Sequence, residues 1–540
     1  MKNINLRKSL VALSTTALIA GLAVAIPTAA RADGPTCSEV AAATKYSARN
    51  TQLCTGVDQF GAKYEIAMPK KFNGTLIVWS HGIRKNTNLP KIPVVAPNGY
   101  VVDNSPEIAP APAIATALLK QGFALAGSGV QTQGWNQEEQ VLATTIVIDQ
   151  AITKFPQIDR IAAWGASLGA LSTQLLAENN PGLVDAVAPL CLSDSVEANA
   201  ITYASDALWL TKTLFDPSIK GNGYASGSTG YAQMVTDIGK VLTVFGALSA
   251  SIQKNPLAPT WPESSTVPAT LKGIPVRSAV LLMGLLAGVP TQSRTFDSSS
   301  GPKGPLETSF GLVISPSLAV LENAAEAAIL AVVATYDLEL RAGGVVYDNT
   351  QTNWATRLGD DSDVYAAGLT GKTAIAGMLA YLSPLNPAAP RVKADPSAVA
   401  RVAAYAKIQG NVTVPTITLA GTADHIAQGT QYFIDQYNAS VASGKAKPGL
   451  LVNIWNKPPD QYTKFTDAGS PIPVDASAPT NGTQHCNFTG SQWLTIAKLL
   501  TDSAKSGKAP SSKVVKAAIA KDKNLFTDPN YRGQVHKYRQ

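Results

Sequence analysis

The sequence contains few residues that bind transition metals, with four histidines and four cysteines among 540 residues. No Cys-x-x-Cys pair is present, and no histidines and cysteines stand at the spacing of a zinc site. No other motif implies a bound group. The sequence therefore predicts an enzyme or binding protein without a metal or a cofactor.

Charged residues are also scarce, at 15% of the chain, with a formal net charge of +7. Residues 1–32 hold four basic and no acidic residues, so their removal would lower the net charge to +3. Much of the remaining positive charge is scattered between Lys505 and Arg539. Such a pattern is typical of a solvated surface and predicts no nucleic-acid partner.

Long apolar runs are missing beyond the first residues of the chain. The closest is residues 279–289, which is shorter than the roughly 18–20 residues that a membrane-spanning helix needs. At the start, three basic residues precede the apolar run Leu10–Ile26, and Ala30-Arg31-Ala32 offers small residues for cleavage. This layout predicts a signal peptide at residues 1–32, an extracellular location and no stable membrane anchor.

Four cysteines in an exported chain predict two disulfides. Three pairings are possible. The simplest joins the near neighbours Cys37 and Cys54, and leaves Cys191 to pair with Cys486.

Apolar runs of strand length alternate with helix-length periodic segments between residues 70 and 200, and again after residue 400. This alternation is typical of an α/β fold with a mostly parallel sheet and right-handed crossovers. Residues between the two regions are mainly helical in pattern, which indicates an insertion. The predicted parts are a signal peptide at 1–32, the sheet domain's first part at 33–194, a helical cap at 195–395, the sheet domain's second part at 396–506 and a basic C-terminal tail at 507–540.

The stretch Gly165-Ala166-Ser167-Leu168-Gly169 lies between a predicted strand and a predicted helix. A serine in this position stands on a sharp, strained turn that exposes its hydroxyl group, and a side chain at either glycine would collide with a neighbouring element. The helix N-terminus behind it favours negative charge. The sequence therefore predicts Ser167 as a nucleophile.

A serine nucleophile needs a base, which is most often histidine. His81 follows a strand in a His-Gly turn, where an oxyanion-hole loop is expected, and His425 is expected to face away from the site. His536 is expected to be a solvated side chain in the basic tail. His485, between the last predicted strand and the last core helix, is the predicted base.

The third member of a triad accepts the other imidazole N–H. Asp424 directly follows a predicted strand and precedes His485, which gives the chain order Ser, Asp, His. Asp194, after the strand that ends at Cys191, is the rival acid. The oxyanion hole is predicted from the backbone N–H groups of Leu168 and Ile83.

The motifs that carry this pattern are residues 165–169, "SHG" at 80–82, "GTAD" at 421–424 and "QHC" at 484–486. With them the chain resembles the α/β-hydrolase superfamily, and more narrowly secreted bacterial hydrolases in which "PLC" and "HC" occur together. It also resembles the tannase and feruloyl-esterase group, in which a Cys beside the Ser bonds a Cys beside the His. Here Ala166 and Leu168 flank the serine, so only half of that signature is present.

The resemblance implies a secreted serine hydrolase that cleaves small-molecule or polymeric carboxylic esters. A serine peptidase and an acyltransferase on the same fold are the alternatives. An aminopeptidase would need an acidic cluster for the substrate amine, and Glu138-Glu139 or Asp360-Asp361 are the candidates. The motifs do not indicate acyl specificity or oligomeric state.

The insertion leaves the sheet after Cys191, at the edge where the serine also emerges. It is therefore predicted to cover the active site. Trp209, Leu282 and Trp354 are predicted to shape a pocket for apolar or aromatic ester groups.

Overall fold

A computed structural model describes residues 34–39, 46, 50–194, 197–296, 309–403, 407–459, 463–467, 469–475 and 477–539. The signal peptide predicted at 1–32 lies outside the described residues.

Strands of the described residues form a large central sheet and a small hairpin. The strands are β1 Thr36–Glu39, β2 Thr51–Val57, β3 Lys63–Pro69, β4 Thr75–Ser80, β5 Ala124–Ser128, β6 Arg160–Ala166, β7 Ala186–Leu190, β8 Thr416–Gly421, β9 Leu451–Asn456, β10 Lys464–Phe465, β11 Pro471–Ile472 and β12 Leu525–Phe526. Within the described ranges ten of them form one sheet in the order β1-β2-β3-β5-β4-β6-β7-β8-β9-β12. The six strands from β5 to β9 in this order are parallel, and antiparallel strands complete both edges.

Helices cover the sheet and form the insertion. They are α1 Pro112–Lys120, α2 Gln137–Lys154, α3 Leu168–Asn179, α4 Glu197–Phe215, α5 Gly227–Lys254, α6 Ala269–Lys272, α7 Val276–Ala287, α8 Ser309–Ala342, α9 Trp354–Leu358, α10 Asp361–Val364, α11 Lys372–Tyr381, α12 Pro396–Ala403, α13 Gly429–Ala442, α14 Gly490–Ser506 and α15 Ser512–Ile519.

The central strands are buried on both faces because helices pack on each side of the sheet. Leu76 and Val78 of β4 pack in one apolar cluster with α2, α3 and α13. Ile77 and Trp79 of the same strand pack in another with α1, α14 and α15. The strand order and the two helical layers are those of the α/β-hydrolase fold, and the predicted fold class is confirmed.

The helices α4 to α12 lie between β7 and β8, in the insertion predicted to be a cap, and share an apolar core of their own. Its central helix, α8, packs against α4, α5 and α7. The cap core also includes Leu168 at the start of α3 and Trp135 just before α2, so the cap is packed directly on the edge of the sheet that carries Ser167.

Two helices of the described part of the chain are long and apolar enough to cross a membrane by length and composition. They are α5 and the segment Val313–Ala342 of α8, whose most apolar windows are 39% and 72% buried inside the structure. The apolar character of α8 follows from its place in the cap core.

Five lysines of the basic tail predicted at 507–540 are exposed, but the segment is packed on the sheet domain, and the expectation that His536 is solvated was wrong. Helix α15 packs against α14, and β12 pairs with β9 at the edge of the sheet. His536 is 1% exposed, and its ring lies against Tyr203 and Tyr538. Arg532, Lys537 and Arg539 of this segment pair with carboxylates of the core and the cap, which a count of basic residues does not reveal.

Candidate active site

Ser167 lies at the junction of β6 and α3 with φ 59° and ψ −123°. The junction is tight, because a Cβ atom at Gly165 would overlap the carbonyl group of Gly169, and one at Gly169 would overlap the backbone of Ser80. Only glycine fits at the two flanking positions. The turn therefore has the geometry of a nucleophile elbow.

The Nε2 atom of His485 lies 2.7 Å from the Oγ atom of Ser167. His485 belongs to a loop before α14 whose flanking residues Gln484 and Cys486 both have positive φ, at 56° and 51°. An isolated bridge joins Thr483 to Ala423 and places this loop beside the end of β8. The structure thus brings the predicted base to the predicted nucleophile.

Asp424 follows β8 and is 2% exposed. Its Oδ1 atom lies 3.1 Å from Nδ1 of His485 and accepts the N–H groups of Ile426 and Ala427 at 2.9 and 2.8 Å. Its Oδ2 atom accepts the N–H group of Cys486 at 2.9 Å. These bonds satisfy a buried carboxylate and fix it against the imidazole.

The two ionisable groups stabilise each other's charged form. Burial opposes ionisation of Asp424, but the charge and hydrogen bond of His485 outweigh it and hold the pKa of this carboxyl below its usual value. Burial also opposes protonation of His485, but Asp424 and Glu326 outweigh it and raise the pKa of the imidazole. An imidazolium ion formed at His485 is therefore stabilised.

Asp194, the rival acid, is buried but has other partners. Arg539 Nη2 lies 2.5 Å from its Oδ1, and the hydroxyl group of Tyr538 donates to its Oδ2. His536 lies next to this group and donates from Nε2 to the carbonyl oxygen of Ser193 at 3.0 Å. Asp194 therefore anchors the C-terminal segment, and the structure does not bring it to His485.

His81 is 3% exposed, and its Nδ1 lies 2.7 Å from the carbonyl oxygen of Gly82. Burial and the nearby Arg84 lower the pKa of His81 to about 4, so the ring is neutral at neutral pH. The side chain of Gln140 donates to the carbonyl oxygen of His81 at 2.9 Å. The turn that follows β4 is thus fixed by two hydrogen bonds, one from the ring of His81 and one from the side chain of Gln140.

The predicted oxyanion-hole residues lie on the two sides of Ser167. Leu168 is the first residue of α3, so its N–H group has no acceptor within the helix. Gly82, the neighbour of Ile83, is close enough that a Cβ atom on it would lie 3.8 Å from the Oγ atom of Ser167. Both segments therefore border the nucleophile.

Two disulfides are present, Cys37–Cys54 and Cys191–Cys486. The second joins residues 295 positions apart, with a Cα–Cα distance of 5.4 Å. It links the end of β7 to the residue after His485. The loop that contains His485 is therefore tied to β7, which pairs with β6, the strand that leads to Ser167.

Aromatic rings support this part of the site from within the sheet domain. Trp79, Trp164 and Trp493 lie with their ring centroids 5.4–5.9 Å apart, and Phe488 packs edge-on against Trp493. Each ring is close in sequence to a site segment. The sequence contained these tryptophans, but no local pattern indicates that they meet.

Each acidic pair considered for an aminopeptidase includes at least one carboxylate with a cationic neighbour. Glu139 Oε1 lies 3.2 Å from Arg341 Nη2, and Glu138 Oε2 lies 4.0 Å from the same atom. Asp361 lies 3.0 Å from the Nζ atom of Lys537. These ion pairs join the cap to the core and to the C-terminal segment.

The three cap residues predicted to shape a pocket lie inside the cap. Trp209 and Trp354 are 3% exposed and stacked, with centroids 5.3 Å apart, and Leu282 is fully buried. All three belong to the apolar core of the cap. Their large apolar surfaces are therefore used to fold the cap.

Among the described residues, one group of acid, histidine and cysteine atoms is close enough to hold a metal ion, and it consists of Asp424, His485 and Cys486. The sulfur of Cys486 is in a disulfide, so it offers no thiolate. These atoms lie close together because Asp424 accepts hydrogen bonds from His485 and from the backbone N–H group of Cys486.

Comparison with known protein families finds a match for part of the chain. Residues 57–272 match the model of a tannase-like family of unknown function. This match covers less than half of the chain and confirms the predicted resemblance to the tannase group over that part. No curated protein matches the chain significantly.

Solved structures with a similar arrangement of elements include three esterases. An esterase from Aspergillus oryzae is 11% identical, with 82% of this chain and 81% of that chain covered and a TM-score of 0.35. Feruloyl esterase B from the same organism is 12% identical, with 82% of each chain covered and a TM-score of 0.33. The rice cell wall degrading esterase LipA from Xanthomonas oryzae, in a ligand-bound form, is 12% identical, with 88% and 100% covered and a TM-score of 0.33.

Proposed function

We propose that this chain is an exported serine hydrolase that cleaves carboxylic esters through an acyl-enzyme intermediate. The observation that carries the proposal is the continuous chain of contacts from Ser167 Oγ to His485 Nε2, at 2.7 Å, and from His485 Nδ1 to Asp424 Oδ1, at 3.1 Å. Nucleophile, base and acid are in contact in the order that general-base catalysis requires.

In the first step His485 Nε2 removes the hydroxyl proton as Ser167 Oγ attacks the ester carbonyl carbon. The C–O bond to the alcohol then breaks, and the imidazolium gives its proton to the leaving oxygen. Water next attacks the acyl-enzyme with His485 again as base, which releases the acid and restores Ser167. Asp424 holds the Nδ1–H tautomer and stabilises the imidazolium throughout.

The oxyanion of the tetrahedral intermediate would bind the N–H groups of Leu168 and Ile83. The position of Ile83 is supported by His81, which donates to the carbonyl oxygen of Gly82. That oxygen and the N–H of Ile83 belong to one planar trans peptide unit, in which they point in opposite directions. Holding the oxygen toward His81 therefore directs the N–H group away from His81.

Ester cleavage is favoured over aminopeptidase activity by the ion pairs of the acidic candidates. Glu139 contacts Arg341 and Asp361 contacts Lys537, so these carboxylates already neutralise cations of the protein. A substrate amine would have to displace them. The two disulfides support an oxidising, extracellular location, in agreement with the predicted signal peptide.

The test compares turnover of p-nitrophenyl acyl esters with that of aminoacyl p-nitroanilides, and adds methyl ferulate and methyl gallate as phenolic-acid esters. We expect ester hydrolysis that falls by about 10⁴-fold or more in Ser167→Ala with the fold retained. Faster anilide cleavage would identify a peptidase. A Ser167→Ala variant with more than about a tenth of the wild-type rate would overturn the triad.

A further inference from the structure

The turn that carries the acid is held from the cap by two side chains. The hydroxyl group of Tyr203, on α4, donates to the carbonyl oxygen of His425. The Oε2 atom of Glu326, on α8, lies 3.1 Å from Nε2 of His425. His425 and Tyr203 are each 1% exposed, so the contact between them is buried, whereas the side chain of Glu326 is 55% exposed and reaches the buried imidazole from the solvent side.

We propose that Glu326 is a positioning residue for the catalytic groups, which it holds through His425, and that the cap is a fixed part of the active site. This inference rests on the proposed function. His425 is the chain neighbour of Asp424, whose carboxylate accepts N–H groups from the two residues after His425. A displacement of His425 therefore displaces the atoms that orient Asp424 and, through it, His485.

Helix α8 is also docked on the other side of the site. The Asp337 carboxylate accepts the backbone N–H of Trp135 at 3.2 Å and the amide of Asn86 at 3.0 Å. The indole N–H of Trp135 donates to the carbonyl oxygen of Ala334 at 3.0 Å. Asn86 follows the turn that contains Ile83. Helix α8 therefore contacts the loop that is proposed to contribute to the oxyanion hole, as well as the turn that contains Asp424.

One rigid element therefore spans the two halves of the site. Eleven residues separate Glu326 from Asp337, which corresponds to about 16 Å along a helix. Opening the cap would break the contacts at both positions. These contacts favour entry of the substrate with the cap in place over a hinge motion of the cap.

Glu326 also contributes charge. The titratable groups around Asp424 are Glu326 on α8, Tyr203 on α4, His425 and His485 on the adjoining loops, and His536 in the C-terminal segment. The contact with His425 lowers the pKa of Glu326, so its carboxyl is ionised at neutral pH. Its negative charge adds to that of Asp424 in raising the pKa of His485.

The test is Glu326→Gln, with Glu322→Gln as the matched control. Glu322 lies one turn earlier on α8, and its carboxylate binds Ser293 and Thr295 instead of the acid turn. We expect the acid limb of kcat/KM to move to lower pH in Glu326→Gln, and the plateau kcat to fall by less than about tenfold because Glu326 touches no reacting atom. The control should keep the wild-type pH profile.

Tyr203→Phe provides a second variant, which removes the other contact without changing charge. This variant should lower kcat, but the acid limb of its kcat/KM profile should stay at the same pH as in the wild type. A Glu326→Gln variant that is folded and keeps both the pH profile and the rate of the wild type would overturn the inference.

Labelling of Ser167 by a fluorophosphonate, followed across pH, separates this failure from a failure of the proposed function. Wild-type labelling no faster than that of Ser167→Ala would overturn the proposed function and the inference with it. Serine-dependent labelling with identical rates and pH profiles in wild type and Glu326→Gln would overturn the inference alone.

Discussion

Replacing Asp424 by Asn tests the acid most directly, because the amide has one acceptor where the carboxylate has two. Oδ1 accepts two backbone N–H groups and Oδ2 accepts that of Cys486. The amide oxygen will take the Oδ1 place, where more donors converge, and its NH₂ group will then face the N–H of Cys486. The amide oxygen could still accept from Nδ1 of His485 at 3.1 Å, but the NH₂ group, in the place of Oδ2 at 3.3 Å from Nδ1, competes by favouring the tautomer with Nδ1 unprotonated, which is the wrong one for a base at Nε2. The amide also lacks the negative charge that stabilises the imidazolium.

We expect kcat to fall by about 10⁴-fold in Asp424→Asn, the loss that a wrong tautomer causes in serine hydrolases. The buried N–H group of Cys486 would lose its acceptor, at about 1–3 kcal/mol of unfolding free energy. Ester hydrolysis under saturating substrate measures the first effect, and denaturant unfolding the second.

Asp194→Asn is the matched control, since Asp194 is equally buried but is paired with Arg539. Breaking that ion pair should cost about 3 kcal/mol of unfolding free energy while kcat stays within about twofold of wild type. If the folded Asp194 variant loses activity as Asp424→Asn does, or if Asp424→Asn keeps a tenth of the wild-type kcat, the assignment of the acid is refuted.

Two further predictions concern the base and its loop. Because the pKa of His485 is raised and the base must be neutral, kcat/KM should fall as pH is lowered through an apparent pKa above the ordinary 6.5; a pH–rate profile that is flat down to pH 5 would contradict this. Replacing both Cys191 and Cys486 by Ser should lower kcat and remove up to about 5–6 kcal/mol of unfolding free energy by the chain-entropy model, whereas the same change at Cys37 and Cys54, on β1 and β2, should leave kcat unchanged. Equal losses of activity in the two double variants would argue against a role of the bridge in holding the base.

The part of this site that depends on neighbouring residues could be predicted from the sequence. The contacts that it makes with residues far away in the chain could not. The strand–turn–helix pattern around Ser167 predicted a conformation that the structure contains, because the two glycines act on immediate neighbours. Glu326 was not found, since a glutamate on an apolar helix has no local mark of a partner 99 positions away. His536 was predicted to be solvated but is buried, and the sequence could not indicate this because the carbonyl group that it binds is 343 positions away in the chain.

The Cys191–Cys486 bridge makes the intervening chain a covalently closed ring that contains the whole cap. A protease that cuts one exposed peptide bond of this ring produces two polypeptides that remain joined through sulfur. Such a nicked molecule would run as fragments on a reducing gel and as a full-length chain on a non-reducing one. Since the bridge holds the residue next to His485, the base would remain attached beside the nucleophile strand after the cut. We therefore expect the hydrolase proposed here to keep its site assembled after a single cut in the cap, which would matter in the protease-rich surroundings of an exported protein.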